Sequence, residues 1–230
     1  MAISFKPQSC RLSLRVLAHL LRYPDAALRA HAAEMAQALQ DEAALPSGRV
    51  TELQALLSRL ASMPALQVES EYVELFDRGR STALHLFEHV HGDSRDRGPA
   101  MIDLIQTYEQ AGLYLGPEEL PDHLPVLLEF ASTQPPAQAR AFLAEFAHIV
   151  RSIFSALRQR ESPYASVLAA VLELAGERAA TVPLPPEPAL DESWAEPEVF
   201  GGCSTEGQAK PGQPQPIRIV KNPPTQGAQA

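Results

Sequence analysis

Apolar residues recur along this chain at three- and four-residue spacing, the period of one face of an α-helix. Leu12, Val16, Leu17, Leu20 and Leu21 share such a face. Tyr23-Pro24 stops it, because the residue before a proline is pushed out of helical backbone. Asp25 is placed to cap a second helix bearing Leu28, Ala32, Met35 and Leu39. After the Pro46-Ser47-Gly48 turn, Val50, Leu53, Leu56, Leu57 and Leu60 mark a third. A fourth runs from about Ala65 to Phe76 and breaks at Gly79. Ser81 is a natural cap for a fifth, with Leu84, Phe87 and Glu88, which ends at His91-Gly92.

A polar loop, residues 94–99, leads into a sixth helix with Met101, Leu104, Ile105 and Tyr108, and Gly112 suits the left-handed residue that closes it. Asp122 is positioned to cap a seventh, carrying Leu124, Leu127, Leu128 and Phe130. Gln134-Pro135-Pro136 separates that helix from a long eighth bearing Phe142, Phe146, Ile149, Ile153 and Leu157. Pro163 begins a ninth, which frays near Gly176. No stretch alternates with the two-residue period of a strand. The expectation is an all-α, single-domain bundle of about nine helices over residues 1–180.

Composition changes near Thr181. Ten of the 21 prolines fall in the last fifty residues, so residues 181–230 read as a Pro-rich, mostly disordered tail. Trp194 and Phe200 are apolar anchors within it. The net charge is -9 over 230 residues, which leaves no electrostatic footprint for nucleic acid. The two cysteines, Cys10 and Cys203, form neither a disulfide framework nor a CxxC metal site, and suit a reducing compartment. The first 25 residues lack the pattern of a secretory signal, and no run approaches a membrane span. No Walker loop, dinucleotide fingerprint or Ser/His/Asp spacing is present.

The chemistry-bearing residues concentrate between Tyr72 and Phe130. His85-Leu86-Phe87-Glu88-His89 matches the inverted zinc-protease pattern. On one helix, His85 and His89 would share a face and Glu88 would serve as general base. The plain alternative is one buried histidine with others at a helix end. The clusters Asp77, Arg78, Arg80 and Asp93, Arg95, Asp96, Arg97 hold matched charges. They read either as a phosphate-binding fork or, better, as charges paired with each other and with the acids nearby, locking two loops together. Glu118, Glu119 and Asp122 set carboxylates beside a helix start. Tyr72, Phe76, Leu104, Tyr108 and Leu124 would line an apolar groove between helices with that acidic turn as its rim, although each one taken separately reads better as core. Such a groove suits a basic amphipathic peptide. His123 beside the acids would make binding depend on pH.

The runs YVELFDRGR (Tyr72–Arg80), LFEHVHGDSRDRG (Leu86–Gly98) and ELPDHLP (Glu119–Pro125), with the Trp194–Gly202 segment, resemble the nitrate reductase assembly chaperones, the NarJ branch of the TorD/DmsD family of redox-enzyme maturation chaperones. The resemblance implies a cytoplasmic, all-helical protein with no catalysis, no metal and no stably bound cofactor. Its client would be the apo catalytic α subunit of respiratory nitrate reductase, engaged at its N-terminal segment while bis-molybdopterin guanine dinucleotide is inserted and membrane assembly waits. Molybdenum cofactor biosynthesis proteins are further partners that it implies. It also assigns the segment around Glu119, Pro121, Asp122 and His123 to client binding. A zinc hydrolase built on His85, Glu88 and His89, and a permanent helical scaffold subunit, are the alternative functions.

Overall fold

The computed structural model describes residues 9–92 and 94–184. The tail anchors Trp194 and Phe200, the expected disorder of the tail, and Asp93 of the charge network lie outside the described residues. Within them the chain forms eleven α-helices. These are α1 (Arg11–Leu20), α2 (Ala26–Ala30), α3 (Ala32–Glu42), α4 (Ser47–Ser62), α5 (Ala65–Tyr72), α6 (Leu86–His91), α7 (Arg97–Gln110), α8 (Leu124–Thr133), α9 (Pro136–Glu145), α10 (Ala147–Gln159) and α11 (Ala165–Ala175). A single turn of π-helix, Val73–Asp77, extends α5, and a 3-10 turn, Arg80–Thr82, follows it.

Nine expected helices became eleven through two one-residue interruptions. His31 leaves helical geometry at φ -93, ψ 7 and divides α2 from α3. Phe146, at φ -96, ψ 0, divides α9 from α10. The apolar spacing runs through both breaks unchanged, so periodicity alone reads each pair as one helix.

The core sits around α1, α8, α10 and α11. Apolar residues cover α8 and α11 on nearly every side, as a helix enclosed by others requires. In α8 the stretch from Leu124 to Leu128 is buried throughout, and in α11 so is Ala165 to Leu172. α1 lies against α8 and α3. Its first N–H groups lack a local cap, and Glu42 at the end of α3 supplies one, accepting from Leu12 N at 3.0 Å and Ser13 N at 2.7 Å. Asp25 caps α2 as expected, through Leu28 N at 2.8 Å. Gly112, at φ 77, closes α7 with the paired bonds Gly112 N to Glu109 O and Leu113 N to Tyr108 O, which satisfy its last carbonyls.

Two capping expectations change. Ser81 caps no helix; it lies within the 3-10 turn, and α6 starts five residues later at Leu86 with His85 before it. Asp122 does not cap α8 either. His123 stands at that boundary, and the Asp122 carboxylate turns elsewhere. No helix among the described residues is long and apolar enough to cross a membrane.

Candidate functional site

Asp122 is the centre of the polar contacts that join the motif strings. Its side chain is fully buried. Oδ2 accepts from Phe87 N at 3.1 Å, capping α6 from a distant turn, and its backbone carbonyl accepts from Leu86 N at 3.0 Å. A second backbone bond, Leu124 N to Leu84 O at 2.9 Å, completes an antiparallel rung between His85 and His123. The start of α6 and the start of α8 are thereby stitched together. Tyr108 adds a third fastening: its buried hydroxyl donates to Pro121 O at 2.8 Å.

Two basic side chains face the Asp122 carboxylate. Arg97 Nη2 lies 3.6 Å from Oδ2 and also reaches Glu88 at 3.4 Å. His85 Nδ1 lies 3.6 Å from Oδ1, beyond hydrogen-bond length, and neither atom has a hydrogen-bond partner. The contact is an ion pair whenever His85 carries its proton. The Asp122 side chain accordingly raises the His85 pKa above its ordinary value, against the opposing effect of burial. His123 stacks on His85 with ring centroids 4.8 Å apart. Burial first, then the charges of His85 and Arg22, push the His123 pKa down to about 4. One imidazole of the stack is thus biased toward the charged form and the other toward the neutral form.

The turn above this hub is exposed. Glu118, Glu119 and Leu120 face solvent, while Pro121 and Asp122 are buried beneath them. Glu119 is paired with Arg22 at 3.2 Å, and the same Arg22 nitrogen holds Glu129 at 2.9 Å.

The expected groove residues separate from this rim. Tyr72 and Phe76 are buried, in an aromatic cluster with Tyr164 whose ring centroids lie 4.9 to 6.3 Å apart, and the Tyr72 hydroxyl donates to Leu21 O at 2.8 Å. Leu104 and Tyr108 are buried as well, with Tyr108 against Phe130. All four are core, because each ring and chain fills the space between packed helices; none lines an open surface here.

The charge clusters pair with acids nearby. Among the described residues Arg78 pairs with Glu74 on its own helical turn, and Arg97 with Glu88 and Asp122. Asp96 accepts from the Ser94 hydroxyl at 3.2 Å. Among the described residues no ion pair joins Asp77, Arg78 or Arg80 to Arg95, Asp96 or Arg97. Arg97 is committed to the Asp122 hub.

The zinc reading fails on geometry. His85 precedes α6 in extended backbone, at φ -85 and ψ 102, so it does not share a helical face with His89. His89 Nε2 is engaged with Ala83 O at 2.8 Å. No group of three ligating side chains among the described residues is arranged for a metal ion.

A family model described as nitrate reductase delta subunit matches residues 22–170, which include the whole hub. The chain belongs to that family. It is 46% identical to the nitrate reductase molybdenum cofactor assembly chaperone NarJ of Escherichia coli (strain K12) over 164 residues, 71% of this chain and 70% of NarJ. It is 42% identical over 163 residues to the probable chaperone of the same kind, NarW, from that strain, covering 71% of this chain and 68% of NarW. It is 33% identical to the probable NarJ of Bacillus subtilis (strain 168) over 172 residues, 73% of this chain and 92% of that protein. These family members are named for assembling an enzyme rather than for a reaction of their own.

Two members of the site escaped the sequence reading. Arg22 lies in the bend after α1 and Glu129 lies in α8, and no local spacing relates them to each other or to Glu119. Only the fold brings the three together.

Proposed function

We propose that the protein is a dedicated chaperone for assembly of a nitrate reductase. It binds the apo catalytic α subunit at its N-terminal segment and keeps it open for insertion of bis-molybdopterin guanine dinucleotide. It holds back membrane assembly until that step is complete. It acts in the cytoplasm, binds no cofactor stably and works beside the molybdenum cofactor biosynthesis proteins. Family membership, with 46% identity to an assembly chaperone across most of both chains, is the observation that carries this reading.

The site supports it in a modified form. Glu118 and Glu119 on the exposed turn attract the client's basic residues. Pro121, Asp122 and His123 fix the turn from beneath, and Asp122 is too deeply buried to meet the client itself. Tyr108 holds the turn through Pro121, while Tyr72, Phe76 and Leu104 are core residues that do not meet the client. Calorimetric titration with a synthetic peptide of about fifteen residues from the α-subunit N-terminus tests the proposal. Saturable binding, weakened in Glu118→Lys/Glu119→Lys, is expected; no binding between mildly acidic and neutral pH would overturn it.

A further inference from the structure

The Arg22 contact is a poor use of a guanidinium. A single nitrogen, Nη2, holds both Glu119 and Glu129, at 3.2 and 2.9 Å. Nε is buried with no hydrogen-bond partner. An arginine has five donors in a planar fork and pairs best when two of them meet one carboxylate side by side. Here two carboxylates share one nitrogen, and a second nitrogen of the fork is desolvated to no purpose. All three side chains are also reachable from solvent, with 39%, 41% and 42% of their surface exposed for Arg22, Glu119 and Glu129. Next to this contact in sequence stand two large apolar side chains that face water, Tyr23 and Leu120. An exposed carboxylate pair between exposed apolar residues matches an arginine flanked by apolar residues on a peptide.

We infer that Glu119 and Glu129 form a seat for an arginine of the client, and that Arg22 occupies this seat as an internal competitor when no client is bound. Binding exchanges one guanidinium for another: the client arginine forks onto the two carboxylates, and Arg22 swings out to water, where its Nε regains a hydrogen-bond partner. The seat adds Glu129 to the client site and makes Arg22 a brake on affinity. This inference rests on the peptide-binding reading above and deepens it.

The sign of one substitution separates the brake from a structural ion pair. In the full chain, Arg22→Gln is expected to bind the α-subunit peptide about two- to fivefold tighter, the effect of removing exposed ion pairs that compete with it. A purely structural Arg22 would give weaker or unchanged binding, and that result would overturn the inference. Glu129→Gln is expected to weaken the arginine-containing peptide and to leave a citrulline-substituted peptide unaffected. Equal loss for both peptides, or no loss for either, would overturn it independently of how Arg22→Gln folds. If the unsubstituted protein binds but neither variant shifts affinity, the seat is wrong and the chaperone reading stands. If the unsubstituted protein binds no peptide, both fall.

Discussion

The Asp122 carboxylate caps a helix to which it does not belong: Oδ2 accepts from Phe87 N at 3.1 Å across 35 residues of chain. A helix of six residues, α6, cannot hold itself in water and depends on such tertiary contacts. Asp122→Ala leaves the Phe87 N–H unpaired in a part-buried position, and it should lower unfolding free energy by about 2 kcal/mol in urea titrations. Asp122→Asn retains an accepting oxygen and should lose less than half of that. Equal losses for the two variants would mean that the charge, rather than the cap, is what the fold uses.

The stacked histidines titrate in opposite directions. His85, raised by Asp122, favours folding in its charged form. Its contribution is complete below the unfolded value of about 6.5 and fades as pH rises through the higher folded value. His123, held at about 4, favours folding in its neutral form. Its contribution is complete above about 6.5 and falls away as pH drops toward 4. Ring-proton resonances should therefore show one imidazole titrating above 6.5 and its neighbour near 4, and Asp122→Asn should bring the first back toward 6.5. His123→Gln should flatten the loss of stability between pH 6 and 4. Two ordinary titrations would refute the arrangement.

Two buried tyrosine hydroxyls fasten backbone carbonyls: Tyr108 to Pro121 and Tyr72 to Leu21. Tyr108→Phe and Tyr72→Phe each keep the ring but orphan an acceptor, and each should cost about 1 to 2 kcal/mol by chemical denaturation. Tyr108→Phe should also loosen the 116–123 turn and so weaken client-peptide affinity, whereas Tyr72→Phe should not.

Gly79 is required by close approach rather than by its backbone angles. A Cβ there would lie 2.3 Å from Thr82 Oγ1 and 2.6 Å from the Leu75 carbonyl. The carbonyl belongs to the π-turn and cannot step aside without disturbing it. Gly79→Ala should destabilise by about 2 kcal/mol or more, as overpacking does, and a change under about 0.5 kcal/mol would contradict the packing described.

Much of the architecture was legible because helix periodicity is local. The faces carrying Leu17, Leu53, Leu127 and Leu168 are written within a few residues of one another, although Leu12, read into the first of them, is exposed and the buried Leu14 was passed over. The interruptions at His31 and Phe146 were not legible, since a one-residue kink preserves the three-and-four spacing on both sides. Asp122 was misread for a related reason. Capping rules describe an acid that serves the helix just after it, and this one serves a helix 35 residues earlier. The motif strings led to the turn that carries Asp122. For Tyr72, Phe76, Leu104 and Tyr108 the sequence allowed both a groove and the core, and it takes the fold, which decides which helices meet, to place them in the core. The triad of Arg22, Glu119 and Glu129 is wholly a product of the fold.

The rung between His85 and His123 has a dynamic consequence. It closes residues 86–122 into a loop whose ends are joined by two backbone hydrogen bonds, Leu86 N to Asp122 O and Leu124 N to Leu84 O. The longest helix inside that loop, α7, buries only Leu104 and Tyr108 of its fourteen residues. A segment so lightly anchored, with its fastenings gathered at one neck, opens as a unit well before the whole protein does. In native-state hydrogen exchange, the amides of Leu86, Phe87 and Leu124 should therefore share one opening free energy, set far below that of the α11 amides. The part of the molecule that carries the exposed Glu118 and Glu119 would then be the part built to come loose first.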